Sequence, residues 1–166
     1  MNKVISQVMQ KLIEDPEQNQ TDVDHFMKVY AFAETIGNLE GLDRKTQETL
    51  EIAAIVHDIA CPLCREKYGN TDGAYQQKEG MPLTEEFLRK FDLPKDQKDR
   101  VAWLVGHHHT YTNVEGMDYQ ILLEADYLVN AGESTKFRKQ MDFFREKVFR
   151  TESGCKLLKA MFEDKE

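Results

Sequence analysis

The sequence is short of cysteine, of positive charge and of long apolar runs, and each shortage excludes a class of protein. Its 166 residues include three cysteines, an odd number that does not suggest a disulfide framework and agrees with a reducing compartment. No apolar stretch approaches the roughly twenty residues of a membrane span, and the N-terminus lacks an apolar signal core. We therefore expect a cytoplasmic protein that does not enter a membrane.

The charge balance argues against polyanionic partners. Twenty-two lysines and arginines stand against thirty acidic residues, which gives a formal net charge of -8, and the basic residues are scattered along the chain. Nucleic-acid polymers and anionic membranes need a basic footprint that this chain does not offer. An anionic small molecule would depend on a few local cations.

Helical periodicity covers most of the chain, and we find no alternating strand pattern, repeat or linker in the sequence. The predicted helices span approximately 2–14, 21–36, 43–59, 82–91, 94–105, 119–129, 134–149 and 151–162. Residues 60–81 are rich in glycine and contain Pro62, which predicts a long irregular connection with one short helix around Ala74–Lys78. The fold class is therefore an all-α single domain over residues 1–166, with about six to eight helices.

Several polar residues fall where the helical pattern expects the core. His57 and Asp58 end the apolar run 52–56, His25 lies on the inner stripe of its helix, and Asp126 lies on the inner face of an apolar helix. A buried carboxylate is costly unless a cation or hydrogen bonds compensate it. These side chains therefore require partners.

The five histidines occupy only three places, namely His25, His57 and the run 107–109. Together with Asp58 and Asp126 they form a mixed imidazole and carboxylate set that suits iron, manganese, zinc, cobalt or nickel better than calcium. Neighbouring helical residues diverge by about 100 degrees. His57 and Asp58 can therefore share an ion only beyond the helix end, unless Asp58 bridges two ions, and both alternatives remain open.

The order of these residues resembles the HD-domain phosphohydrolase superfamily, including its small uncharacterised bacterial members. In chain order the matching positions are His25, His57, Asp58, His107, His108 and Asp126, the last within Leu-Glu-Ala-Asp. The resemblance covers about residues 20–132, with helices at about 134–163 packed on that core. It implies that His25, His57, Asp58 and Asp126 ligate a first divalent metal, and that the chain hydrolyses a phosphate ester, often of a nucleotide.

The chain also departs from the family pattern in ways that concern a second metal. The His-Asp pair is not followed by Gly-Lys, and the stretch 67–74 lacks the further histidine that dinuclear members usually supply. One metal site is therefore expected. A second ion would rely on His107 and His108, with Glu79 or Gln76 as replacement ligands.

The resemblance also suggests catalytic roles, in which a metal-activated water attacks phosphorus. Asp58 would hold or deprotonate the water, His107 or His108 would protonate the leaving oxygen, and Glu79 is a candidate general base. The candidate substrate-binding residues are Lys28, Arg65, Lys67, Gln76 and Lys78.

Other interpretations stay open at this stage. The chain could be a di-iron oxygenase of the HD type, or a non-catalytic nucleotide-binding or metal-binding regulator. We expect the aromatic side chains of the late helices to pack in the core or to form a homodimer face; these are Phe143, Phe144 and Phe149. Cys61 and Cys64 have the spacing of zinc or redox motifs, but the second cysteine pair and the neighbouring strand that those motifs need are missing.

Overall fold

The computed structural model describes residues 2–163, so the ends of the predicted domain at residue 1 and at 164–166 lie outside it. Within 2–163 the chain is all-helical, which confirms the predicted fold class. The longer helices are α1 (Lys3–Ile13), α2 (Gln20–Leu39), α3 (Arg44–Val56), α4 (Cys61–Tyr68), α5 (Gly73–Leu88), α6 (Lys95–Val105) and α7 (Met117–Glu133). Two short helices, α8 (Thr135–Arg138) and α9 (Met141–Phe143), and a π-helical turn at Phe144–Val148 precede α10 (Glu152–Phe162).

Helices α3 and α7 form the centre of the bundle. Residues 49–56 of α3 are all buried, and α7 buries both its apolar side chains and Asp126. Helix α2 packs against α3 and α7, while α6 packs against α3 and α5. Burial of apolar surface at this centre is the main stabilising contribution, and it fixes the helix ends that carry the histidines.

Local signals determine where the site-bearing helices begin and end. Asn19 and Asp22 form a capping box at the start of α2, with reciprocal side-chain to backbone hydrogen bonds of 2.8 and 3.1 Å. Asp43 caps α3, which ends at Val56, so that His57 occupies the C-cap and Asp58 lies in the following turn. The His-Asp pair therefore lies at a helix end rather than along a helix face.

The predicted irregular connection at 60–81 is wrong, because most of it forms α4 and the first half of α5. Pro62 lies in the first turn of α4, where proline is tolerated, and Gly69 ends the helix with a positive φ of 74°. Gly80 does not break α5: a side chain there would approach Val105 of α6 at 2.8 Å. That glycine serves close helix packing.

Two further boundaries differ from the predicted ones. Pro82 was expected in the first turn of a helix but lies inside α5. The helix predicted over 134–149 is broken into α8, α9 and the π-helical turn, in which the Phe149 N–H donates to the carbonyl of Phe144 at 2.9 Å. None of the helices in residues 2–163 combines the length and apolar character that a membrane span requires.

Candidate metal centre

Three helices bring imidazole and carboxylate groups to one point in the core. His25 comes from the second turn of α2, His57 from the end of α3, and Asp126 from the middle of α7. His25 Nε2 lies 3.2 Å from both His57 Nε2 and Asp126 Oδ1, and His57 Nε2 lies 3.3 Å from the same oxygen. We call His25, His57 and Asp126 the first donor group.

Asp58 lies between this group and a second pair of histidines. Its Oδ2 is 3.2 Å from His25 Nε2 and 3.4 Å from His57 Nε2, whereas its Oδ1 is 3.4 Å from His108 Nε2. Potential ligand atoms of Asp58, His108 and His109 lie within 4.8 Å of one another. We call His108 and His109 the second donor group, and Asp58 has one oxygen directed to each group.

Acceptors behind three of the rings determine which nitrogen faces Asp58. His57 Nδ1 donates to the carbonyl of Ala54, and His108 Nδ1 to the carbonyl of Val105, each at 2.7 Å. His25 Nδ1 lies 3.0 Å from Glu133 Oε2. A proton on each Nδ1 leaves the Nε2 lone pair directed inward, which is the arrangement of metal-ligating histidines.

The converging lone pairs show that the residues present fit a cation. Nε2 of His108 is buried and forms no hydrogen bond within residues 2–163, although Asp58 Oδ1 is nearby. A ring nitrogen lone pair facing a carboxylate oxygen is unfavourable unless a cation lies between them. Two carboxylates, Asp58 and Asp126, match the charge of one divalent ion.

The electrostatics of the first donor group show the same demand for positive charge. Burial lowers the pKa of His25, but hydrogen bonds to Asp126 and Asp58 outweigh it and raise the pKa to about 12. Burial likewise opposes ionisation of His57, yet the charges of Asp58 and Asp126 raise its pKa to about 10. Without a metal, therefore, protons on the rings neutralise the carboxylates.

The three consecutive histidines have different environments. His107 turns away from both donor groups: its ring stacks on Trp103 at 3.9 Å between centroids, and its Nδ1 donates to the Trp103 carbonyl at 2.7 Å. His109 Nε2 lies 3.0 Å from Gln76 Oε1, while Gln76 Nε2 donates to the carbonyl of Thr71. That chain of bonds places the His109 proton on Nε2 and leaves Nδ1 as a free ligand atom.

Burial keeps His109 available as a ligand, because it lowers the pKa of the ring to about 3. His109 is therefore neutral at physiological pH. The sequence pattern predicts possible ligand roles for His107 and His108 and none for His109. The turn after α6 breaks helical periodicity, so spacing alone does not tell which adjacent ring faces inward.

An open cleft of about 490 Å³ leads from the surface to His25, Asp58 and Asp126. Arg65 and Lys136 are the lysine and arginine side chains that line it. Arg65 is held by Asp22 through two bonds of 3.0 and 2.6 Å, whereas Lys136 makes no hydrogen bond or ion pair within residues 2–163. The other polar lining residues include Thr21, Thr71, Asp72, Gln76, Tyr111, Asn130 and Gln140.

The remaining predicted site residues do not line this cleft. Glu79 accepts hydrogen bonds from Lys67 at 2.8 Å and from Tyr68 at 2.6 Å, which ties it to α4. Lys28 donates a hydrogen bond to Glu133 at 3.1 Å. Because Glu133 contacts His25 Nδ1, Lys28 lies on the side of the His25 ring that faces away from Asp58. Lys78 is exposed on α5. Lys67, Lys78 and Glu79 were expected on an irregular connection, which is instead a pair of helices whose faces direct these three side chains elsewhere.

The two cysteines of α4 are buried free thiols. Cys61 lines the cleft, and burial and the nearby charge of Asp58 raise its pKa. Burial likewise raises the pKa of Cys64. A raised pKa keeps both sulfurs protonated and weakly nucleophilic, which agrees with the sequence-based preference against a zinc or redox motif.

Comparisons with known proteins agree with this architecture. A crystal structure described as a predicted HD superfamily hydrolase, from an uncultured Thermotogales bacterium, superposes with a TM-score of 0.67 at 21% sequence identity. The match covers 96% of this chain and 84% of that one, and at such identity it shows a shared fold alone. A search of curated proteins found no match. The family model of the HD domain matches residues 22–131, more than half of the sequence, and the chain therefore belongs to the HD-domain family.

Proposed function

We propose that this protein is a metal-dependent phosphohydrolase that cleaves a small phosphate ester. The observation that carries the proposal is the convergence of three imidazole Nε2 atoms on Asp58, with each Nδ1 held by an acceptor behind it. His25, His57, Asp58 and Asp126 would hold one divalent transition metal. When bound, such an ion acidifies water and polarises a phosphoryl oxygen.

The chain's own residues would position and neutralise the reacting groups. Asp58 is the most exposed of the four proposed ligands, with 25% of its side chain accessible, and is placed to accept a proton from water in the cleft. Glu133 fixes the tautomer of His25 through Nδ1. His108 and His109, rather than His107 or Glu79, lie on the other side of Asp58, and we propose them as ligands of a second ion.

The cleft favours a small anionic substrate. Lys136, which forms no ion pair within residues 2–163, offers positive charge beside the proposed metal site and would bind a phosphate oxygen, whereas the guanidinium of Arg65 is already paired with Asp22. Gln76 is buried and its side-chain bonds are already used by His109 and Thr71, so it supports the cleft wall. The net charge of -8 still disfavours a polynucleotide substrate.

The decisive experiment restores metals singly to chelator-treated protein and screens phosphate release from nucleotides and sugar phosphates. We expect release with at least one of manganese, iron, cobalt, nickel or zinc, and loss of release in Asp58→Asn protein that keeps its helical content. Absence of release with every metal, together with tight nucleotide binding, would instead indicate a regulator that binds without turnover.

A di-iron oxygenase is the second candidate, and one observation favours it. Asp58 directs its two oxygens to two separate nitrogen groups, so the residues present could hold the two iron ions that this chemistry needs. The same screen distinguishes the candidates, because oxygen consumption by the iron-loaded protein without phosphate release would support the oxygenase.

A further inference from the structure

A second cleft, of about 620 Å³, opens on a different face of α4 from the proposed metal site. Cys61 and Arg65 of this helix line the metal cleft, whereas Pro62, Leu63 and Glu66 line the second one. Ligand pockets in proteins typically measure about 300–1,000 Å³. We call this second cleft the α4–α5 groove, and the proposed hydrolase does not use it.

The floor of the groove is apolar and only partly covered. The five side chains that form it are Ile59, Pro62, Leu63, Leu83 and Phe87. All five side chains are partly buried, so each retains some exposed surface, and the Phe87 ring lies 5.5 Å from the Phe91 ring between centroids. Contiguous apolar surface of this kind favours the binding of an apolar group.

The rim of the groove carries negative charge, most of which forms no ion pair within residues 2–163. Its charged residues are Asp15, Glu17, Glu66 and Glu86, and no lysine, arginine or histidine in residues 2–163 lines the groove. Glu86 pairs with Arg89, but the other three carboxylates have no ion pair within the described chain. Such a rim repels anions and attracts cations.

We propose that the α4–α5 groove binds a small organic cation with an apolar body, such as an alkylamine. The floor would take the hydrocarbon part, and Glu17, Glu66 and Asp15 would neutralise the ammonium group. The groove has nine lining residues, fewer than the roughly 20–30 residues per side of a standard protein interface. A small molecule therefore matches its size better than a folded partner does.

Titration of the ¹⁵N-labelled full-length protein with n-octylamine, followed by amide chemical shifts, tests this proposal. Octylamine should give saturable shifts at Leu63, Glu66, Leu83 and Phe87. Octanol and octanoate replace the ammonium group by a neutral and a negative group, so they test whether binding depends on the positive charge of the ligand. Ethylamine keeps the ammonium group but has a short chain, so it tests whether binding depends on the apolar body. Because each buried methylene tightens binding up to about fourfold, ethylamine should bind at least tenfold more weakly than octylamine.

A matched pair of variants separates the groove from the general negative charge of the protein. Glu17→Gln/Glu66→Gln should weaken octylamine binding about fivefold or more. Glu115→Gln/Glu146→Gln removes the same charge from exposed residues that do not line the groove and should leave binding unchanged. Equal binding of octanoate, equal losses in the two double variants, or no saturable shift at about 10 mM octylamine would each overturn the proposal.

Discussion

The two oxygens of Asp58 face donor groups that differ in charge and in support. The first donor group, on the Oδ2 side, combines His25 and His57 with the buried carboxylate of Asp126. The second donor group, on the Oδ1 side, offers His108 and His109 and no further carboxylate among the groups that could hold an ion in residues 2–163. An ion on the Oδ2 side would be neutralised by two carboxylates, Asp58 and Asp126. An ion on the Oδ1 side would have only the carboxylate of Asp58, which both sides share.

The two groups also differ in how the chain holds them. The first donor group comes from α2, α3 and α7, the mutually packed helices at the centre of the bundle. The second lies in the turn after α6, where amide groups of Gln76 and Gln77 on α5 hold His109 through Nε2 and the backbone N–H. Rigid support lowers the ordering cost of binding. We infer that the first side binds an ion more tightly than the second.

Loss of the Asp126 charge should produce the largest change in metal affinity. It would also remove the difference in affinity between the two sides of Asp58. Asp126→Asn keeps the side-chain volume but removes one of the two charges that compensate the ion. We expect affinity to fall by more than the roughly 100-fold typical of losing an outer-shell partner. Calorimetric titration of metal into chelator-treated protein measures this change.

Thermal unfolding provides an independent readout for the same variant. At about 100 times its Kd, an ion that binds only the folded state contributes about 2.7 kcal/mol, or roughly 5–10 °C in Tm for a chain of this size. Wild-type protein should show this rise and Asp126→Asn should not. A full rise in the variant would show that Asp126 serves structure rather than metal binding.

A smaller loss of metal affinity is expected from substitution of Glu133, whose carboxylate contacts His25 at Nδ1, the ring nitrogen that faces away from Asp58. Glu133→Gln removes the carboxylate that holds His25 Nδ1 at 3.0 Å, while the ring itself stays in place. Affinity on the first side should fall about 10-fold to 100-fold. The exposed Lys28 also pairs with Glu133, so Lys28→Met serves as the control and should change metal affinity less than twofold.

The sequence predicts the residues on the Oδ2 side of Asp58 better than those on the Oδ1 side. Polar residues on apolar helical faces require partners, and helical spacing places such residues reliably. This reasoning selects His25, His57, Asp58 and Asp126. His109 lies in the turn after α6 and Lys136 in the four-residue helix α8, and both segments are too short for helical spacing to fix the direction of a side chain. Glu79 was selected from the connection expected over 60–81 as a replacement for the missing histidine, but its carboxylate is bonded to Lys67 and Tyr68 of α4. Gly80, which signalled a loop, instead allows α5 to approach Val105.

Substitution of His109 should alter the second side alone. His109→Phe keeps the ring that packs on Gly73 and removes both nitrogens. We expect the tighter ion to remain, while a second, weaker binding step disappears from the titration. Loss of the tighter ion in this variant would contradict the separation of the two donor groups.

His107→Phe is the matched substitution two positions earlier, and it should have the smallest effect on metal binding. Phenylalanine preserves the stacked contact with Trp103 and loses only the hydrogen bond from Nδ1 to the Trp103 carbonyl, which costs about 1 kcal/mol of folding stability. Both metal-binding steps should stay within twofold of wild type, because His107 belongs to neither donor group. If His107→Phe instead removed the weaker step while His109→Phe retained it, His107 would be the ligand, and the turn after α6 would have to rearrange when the ion binds.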